Sequence, residues 1–343
     1  MSLSVTQMQD AIITARANNY FSEFEGNFSN YGAFQAALDG ANLLLPENMV
    51  KSMKNSAAQT TKVPVLNKAT LAIITDRSCS ITGNDPTSAF QNITYATKGF
   101  EITVSPSVSD GNYISLEDQF NNGLRNGLRS IFPELEIAAI AKLETDKSAV
   151  LATSYIATQA TGAYVLESAG DIYYDIPTIM KLNDLKGRYV NVTNTEAQKN
   201  MLKYESQGQN NAVNLAGVLN GSLPSAGNYR HYMSNEITLG SNREVHYMYP
   251  EGSFGVYQWN PQDFVKKRET SAGKKFYTFE DPFLGITWSV IEETTCADLS
   301  ATYSGLTTAH VTKYQFTCDL AFMTAYSSDT SSPILKFNLP AEV

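Results

Sequence analysis

Cysteine, histidine and charge are all scarce in this chain. The three cysteines, Cys79, Cys296 and Cys318, are widely scattered and none pairs with another at C-x-x-C spacing. A disulfide framework is therefore not expected, and reduced thiols are the default. The three histidines, His231, His246 and His310, include no H-E-x-x-H or other close pair, so a zinc site is not expected. G-x-S-x-G, G-x-G-x-x-G and G-x-x-x-x-G-K-[ST] are all missing, which removes the sequence signals of a nucleophile elbow, a dinucleotide fold and a P-loop. No run approaches the length of apolar sequence needed to cross a bilayer as a helix. The opening MSLSVTQMQDAII has no charged stretch leading into an apolar core, so no signal peptide is expected.

Charged residues make up only 17% of the 343 residues, with 25 Lys and Arg against 34 Asp and Glu and a net charge of −9. Such a balance argues against coating nucleic acid by phosphate neutralisation. It leaves a surface that is largely neutral, as expected where other copies cover it. The closest acidic pairs are weak candidates for acid–base chemistry. Asp171 and Asp175 flank two tyrosines, and Glu292 and Glu293 are adjacent. Both pairs read as solvated ends of elements rather than as a glycosidase site. Cys79 and Cys318 have no activating base nearby in sequence and read as inert thiols.

What is present is strong patterning. Residues 1 to about 60 read as helical and Ala-rich, punctuated by glycines and Pro46. Phe100, Ile102 and Val104 alternate with Glu101, Thr103 and Ser105, the period of a strand. The cluster SITGNDPTS, residues 80–88, reads as the turn at the tip of a long β-arm spanning about 62–105. An arm of that kind has no core of its own and needs a neighbour to lie on. Leu116, Phe120, Leu124, Leu128 and Ile131 then form one helical stripe. Ser115 and Asp118 make a short capping box, with arginines toward the other end. Pro133 is expected to end this helix, and a second helix is expected from about Phe132 to Val150. Gly123 and Gly127 weaken the first helix or admit close approach of another segment. Further on, Pro177 to Gly187 suggests a short helix, and Asn194 suggests the cap of another through Tyr204. From Tyr229 the chain turns to aromatic-rich strands.

The order of helical segment, β-arm, long helix, mixed region and late strands resembles that of tailed-phage major capsid proteins with the HK97-like fold. REVHYMYPEGSFGVYQW looks like that family's late axial-domain strand pair, and KYQFTCDLAFMTAY like its final peripheral-domain strand. The resemblance implies an α+β fold divided into an N-terminal arm over 1–60 and an E-loop β-arm over 61–108. A spine helix with peripheral domain follows over 109–170, then an axial domain over 171–295, and returning peripheral strands with a tail over 296–343. It implies no catalytic site, no cofactor and no metal. The function implied is self-assembly of pentamers and hexamers into a shell around double-stranded DNA. Scaffold, portal and decoration proteins are further partners, and no membrane is involved. Subunit contacts are expected at Asp76, Arg77 and Lys98 of the arm, at Arg125 and Arg129 of the spine helix, and at the basic run Lys266, Lys267 and Arg268. The alternatives are a tail-tube or other virion protein, or a β-rich carbohydrate-binding protein or enzyme.

Overall fold

The computed structural model describes residues 3–24, 31–66, 88–105, 115–167, 172–206, 216–218, 222–223, 229–270, 273–281, 283, 285–297, 309–325 and 331–341. Helices α1 (Val5–Ala17), α2 (Gly32–Leu44) and α3 (Glu47–Lys54) lead into β1 (Thr60–Leu66), β2 (Ser88–Thr94) and β3 (Ala96–Val104). The long helix α4 (Leu116–Thr145) follows, then β4 (Thr158–Ala160), β5 (Ala163–Val165), α5 (Ile172–Leu182), β6 (Tyr189–Asn194) and α6 (Ala197–Glu205). The remainder is mostly strand: β7 (Ser222–Leu223), β8 (Tyr229–Ser234), β9 (Asn242–Pro250), β10 (Phe254–Trp259), the short α7 (Gln262–Val265), β11 (Lys275–Glu280), β12 (Thr287–Ala297), β13 (Ala309–Thr324) and β14 (Leu335–Pro340).

Two sheets carry the body. One has five strands, with β10, β13, β12 and β11 in order and β3 also paired to β13. The other has seven, in the order β4-β5-β14-β9-β6-β8-β7. The chain changes sheet between β9 and β10, well before the expected boundary at 295. It returns at the end, because β14 enters the seven-stranded sheet between β5 and β9.

The Ser115 cap forms as the sequence indicated. Its Oγ accepts from Asp118 N at 3.0 Å, and Asp118 Oδ2 accepts from Ser115 N at 3.3 Å. The expected break at Pro133 does not occur, and α4 runs through it as one helix of 30 residues. An internal proline costs about 3 kcal/mol in lost bonding and steric conflict. Ile131, Phe132 and Leu135 around it are all buried, and each such burial returns roughly 1.5–3 kcal/mol. Packing therefore outweighs the local defect.

Gly123 and Gly127 lie where β3 crosses α4. A Cβ at Gly123 would sit 2.5 Å from Ile102 Cγ2, and one at Gly127 would sit 2.2 Å from Phe100 Cδ2. The two glycines therefore admit β3 side chains rather than merely weakening the helix. β3 itself is a strand of the five-stranded sheet, in register with β13 from Val104↔Thr312 to Ala96↔Leu320. The arm expected over 61–108 is accordingly shorter, and its last strand belongs to the body.

The N-terminal residues also differ from the arm expected of them. Leu3, Met8, Ile12, Phe21, Phe24 and Phe34 are buried in the main core together with the inward face of α4. A second core lies under α5, where Ile172, Tyr173, Ile176 and Ile179 meet Tyr164, Met248 and Phe337. α5 begins before Pro177 and includes it, rather than starting there. Asn194 ends β6 instead of capping α6, and its amide bonds the backbone of Arg243 and Val245.

Candidate assembly surfaces

β1 and β2 form a two-stranded antiparallel sheet in register from Thr60↔Thr94 to Leu66↔Ser88. Among the described residues these strands pair only with each other. Among the described residues the hairpin is anchored at its root. Val63, Ile93 and Tyr95 pack with Leu45, Met53, Tyr257 and Met323 in a small core of their own. The Tyr95 ring stacks 6.3 Å from Trp259, whose Nε1 donates to Ser56 O at 2.8 Å. Further out, Phe90 stands opposite Pro64 on the face away from Val63 and Ile93 and is 67% exposed. The expected tip, residues 80–88, lies almost wholly outside the described residues, as do Asp76 and Arg77.

The other cations named from the sequence are placed, and four of them already hold carboxylates in their own chain. Lys98 Nζ lies 2.9 Å from Glu134 Oε2, joining β3 to α4. Arg125 Nε and Arg129 Nε both donate to Glu23 Oε1, at 2.8 and 2.9 Å, and Arg129 Nη2 reaches Glu23 Oε2 at 2.9 Å. Arg125 also lies 4.6 Å above the centre of the Tyr20 ring. Partial burial pushes the Glu23 carboxyl up, but the bonds from Arg129 and Arg125 outweigh it and hold the group below its usual range. This clamp fixes the 3₁₀ turn Ser22–Phe24 onto α4. Lys266, Lys267 and Arg268 are all exposed on the turn after α7, where Lys267 takes a φ of 50° and Arg268 pairs with Asp263 at 2.7 Å. This turn lies beside Leu3, Ser4 and Val5 at the start of α1.

Glu292 is buried, not solvated as expected, with Tyr277 Oη donating to it at 3.4 Å and Lys275 Nζ 3.4 Å away. Glu293 pairs with Lys274 at 3.2 Å. His246 is fully buried between Glu244 and Asn191, its Nε2 3.2 Å from Glu244 Oε2. Burial pushes His231 down to about 4, so it is neutral at physiological pH. His310 faces Cys296 at 3.6 Å on the exposed ends of β12 and β13. Burial pushes the Cys318 thiol far up, as an inert thiol requires. Among the described residues no cluster of His, Cys, Asp and Glu is arranged to hold a metal, and no helix is long and apolar enough to cross a membrane. Sequence reasoning missed Phe90, whose exposure depends on which strands pair, and Glu136, whose partners lie about a hundred residues away.

No protein-family description matches this sequence, and no curated protein matches it. Solved structures do. A chain of Mycobacterium phage Che8 superposes with a TM-score of 0.50 at 12% identity, covering 87% of this chain and 90% of that one. The capsid of a native GTA particle gives 0.48 at 12% identity, covering 90% and 91%. The capsid of cyanophage P-SCSP1u gives 0.43 at 11% identity, covering 84% and 85%. The first likeness is one of fold, and it runs nearly end to end. The α+β, HK97-like architecture expected from the order of elements is the architecture of this chain.

Proposed function

We propose that this chain is the shell-forming subunit of a phage capsid. It assembles with copies of itself, as pentamers and hexamers, into a closed icosahedral container for double-stranded DNA. The observation that carries this reading is the fold shared over 87% of the chain with a protein of Mycobacterium phage Che8. The β1–β2 hairpin supports it, because a two-stranded ribbon that pairs with no further strand among the described residues is marginal alone and stable when laid on a neighbour. A tail-tube subunit is disfavoured by the 30-residue helix. The role is structural and non-enzymatic, and the protein resides in the virion after synthesis in the host cytoplasm.

Contacts between copies are proposed at the hairpin, including Asp76 and Arg77, and at the basic turn Lys266, Lys267 and Arg268. Lys98, Arg125 and Arg129 also belong to the proposed contact set. The side chains of Lys98 and Arg129 are about half exposed, so each can hold its own carboxylate and still meet a neighbour. Scaffold, portal and decoration proteins are the further partners, and the packaged DNA is faced without sequence preference. Electron microscopy of the purified chain tests the proposal. Closed shells or hexameric rings are expected. Tubes would point to a tail protein, and a persistent monomer would overturn assembly altogether.

A further inference from the structure

β12 and β13 are antiparallel neighbours, and toward one end of their ladder Cys296 stands directly opposite His310. Residues placed in this way share a face of the sheet, with Cβ atoms about 4.5–5.5 Å apart. Cys296 Sγ lies 3.6 Å from His310 Nδ1. Both residues are exposed. The next pair inward on the same face, Thr294 and Thr312, is already engaged, with its hydroxyl oxygens 3.3 Å apart. The other described thiol and imidazoles are closed to solvent. Cys318, His231 and His246 are buried, and His246 is taken up by Glu244 and Asn191. Among the described residues a thiol and an imidazole thus meet in the open only at the end of β12 and β13.

Thiolate and imidazole together suit a borderline-soft divalent cation. Zinc takes thiolate sulfur at about 2.3 Å and imidazole nitrogen at about 2.0–2.1 Å, in tetrahedral array. Those lengths set the sulfur and nitrogen of two ligands about 3.6 Å apart. The observed separation is the same, so neither strand has to move to admit the ion. Without metal, that spacing holds an S–H···N hydrogen bond. The two ligands also stand on paired strands rather than on a loop, so little ordering is left for binding to impose.

We propose that Cys296 and His310 form a chelating site for a zinc ion, which clips the ends of β12 and β13 together. The ion bonds to Sγ and to Nδ1. The thiol proton leaves to solvent as the sulfur–metal bond forms, and the imidazole binds in its neutral form. No third His, Cys, Asp or Glu completes the site among the described residues, so water fills the remaining tetrahedral positions. With about half the ligands of a structural site, binding falls on the order of 1–100 μM. The ligands are 14 residues apart in the chain, so the metal closes a loop that the unfolded chain leaves open. The site stands apart from the assembly reading and does not depend on it.

Cobalt(II) chloride, with zinc chloride as competitor, tests the site on the full chain kept reduced with a phosphine. Cobalt should bring up a sulfur-to-metal charge-transfer band that saturates near one ion per chain and is lost when zinc is added. Cys296→Ser should remove the band. His310→Ala should weaken binding at least about tenfold, since a lost ligand costs no less than a lost outer partner. Cys79→Ser should change nothing. Both ligands are exposed, so the variants should keep the wild-type circular dichroism. Absence of the band in the wild type overturns the proposal. So does a band that survives Cys296→Ser, or an affinity that His310→Ala leaves unchanged, which would mean a thiol acting alone. Hydrogen exchange reads the clip itself. Zinc should slow exchange in peptides at the end of β12 and the start of β13, and leave β1 and β2 as they were. Equal exchange with and without zinc overturns the clip.

Discussion

β2 and β3 are separated by one residue, Tyr95, and belong to different sheets. β3 is held on three sides: by nine residues of register with β13, by α4 through Gly123 and Gly127, and by the Phe100 ring against Phe316 and Trp288 at 5.3 and 5.4 Å. Among the described residues β2 pairs only with β1, and it leaves Phe90 in solvent. Both strands carry apolar and polar residues in similar proportion. What separates them is the set of surfaces that the rest of the fold brings near, and Tyr95 marks where that set ends. One strand is built into the body of the subunit, and the other is the one proposed to meet a neighbouring copy.

Substitutions can break this contrast, beginning with the most damaging. Gly127→Val would drive a branched side chain into the Phe100 ring. We expect a loss of about 3 kcal/mol or failure to fold, read by chemical denaturation. Phe100→Ala removes the stacked ring from a half-buried site, and about 2 kcal/mol should go. Arg129→Ala opens the Glu23 clamp. Both side chains are substantially exposed, so the loss should stay below about 1 kcal/mol. That contribution is present above the ordinary carboxylate range and fades as pH falls through the depressed value of Glu23. The gap between wild type and variant should therefore close in acid. Phe90→Asp on β2 should shift subunit stability least, within about 0.5 kcal/mol. Its effect should appear in shell yield, counted by electron microscopy. Normal shells from this variant would show that Phe90 is not a contact.

Local features were legible in the sequence. The Ser115–Asp118 cap and the stripe from Phe120 to Ile131 formed as read, because a helix face and its cap are decided within a few residues. The late strands were also visible from their aromatic alternation. Features that depend on distant partners were not legible. Alternation in Phe100–Val104 marks a strand but does not say that its neighbour is Thr312–Phe316. Pro133 reads as a terminator until the burial around it is known. Arg125 and Arg129 look available for a neighbour until Glu23 is placed beside them. Glu136 drew no reading from the sequence, since nothing near it announces the amides of Ala33 and Phe34 that it meets.

The place of β14 has a consequence for biosynthesis. This strand lies inside the seven-stranded sheet, parallel to β5 and antiparallel to β9, and its residues run from Leu335 to Pro340. While the ribosome is still at work, β5 and β9 have no strand between them. At roughly 5–20 residues per second, the interval from the end of β9 to the end of β14 lasts on the order of five to twenty seconds. Through that interval two unsatisfied strand edges stand open in every nascent chain. Completion of this sheet is thus a late event in each molecule, timed by translation. A crowded polysome making many copies at once has its greatest exposure to mispairing during that wait.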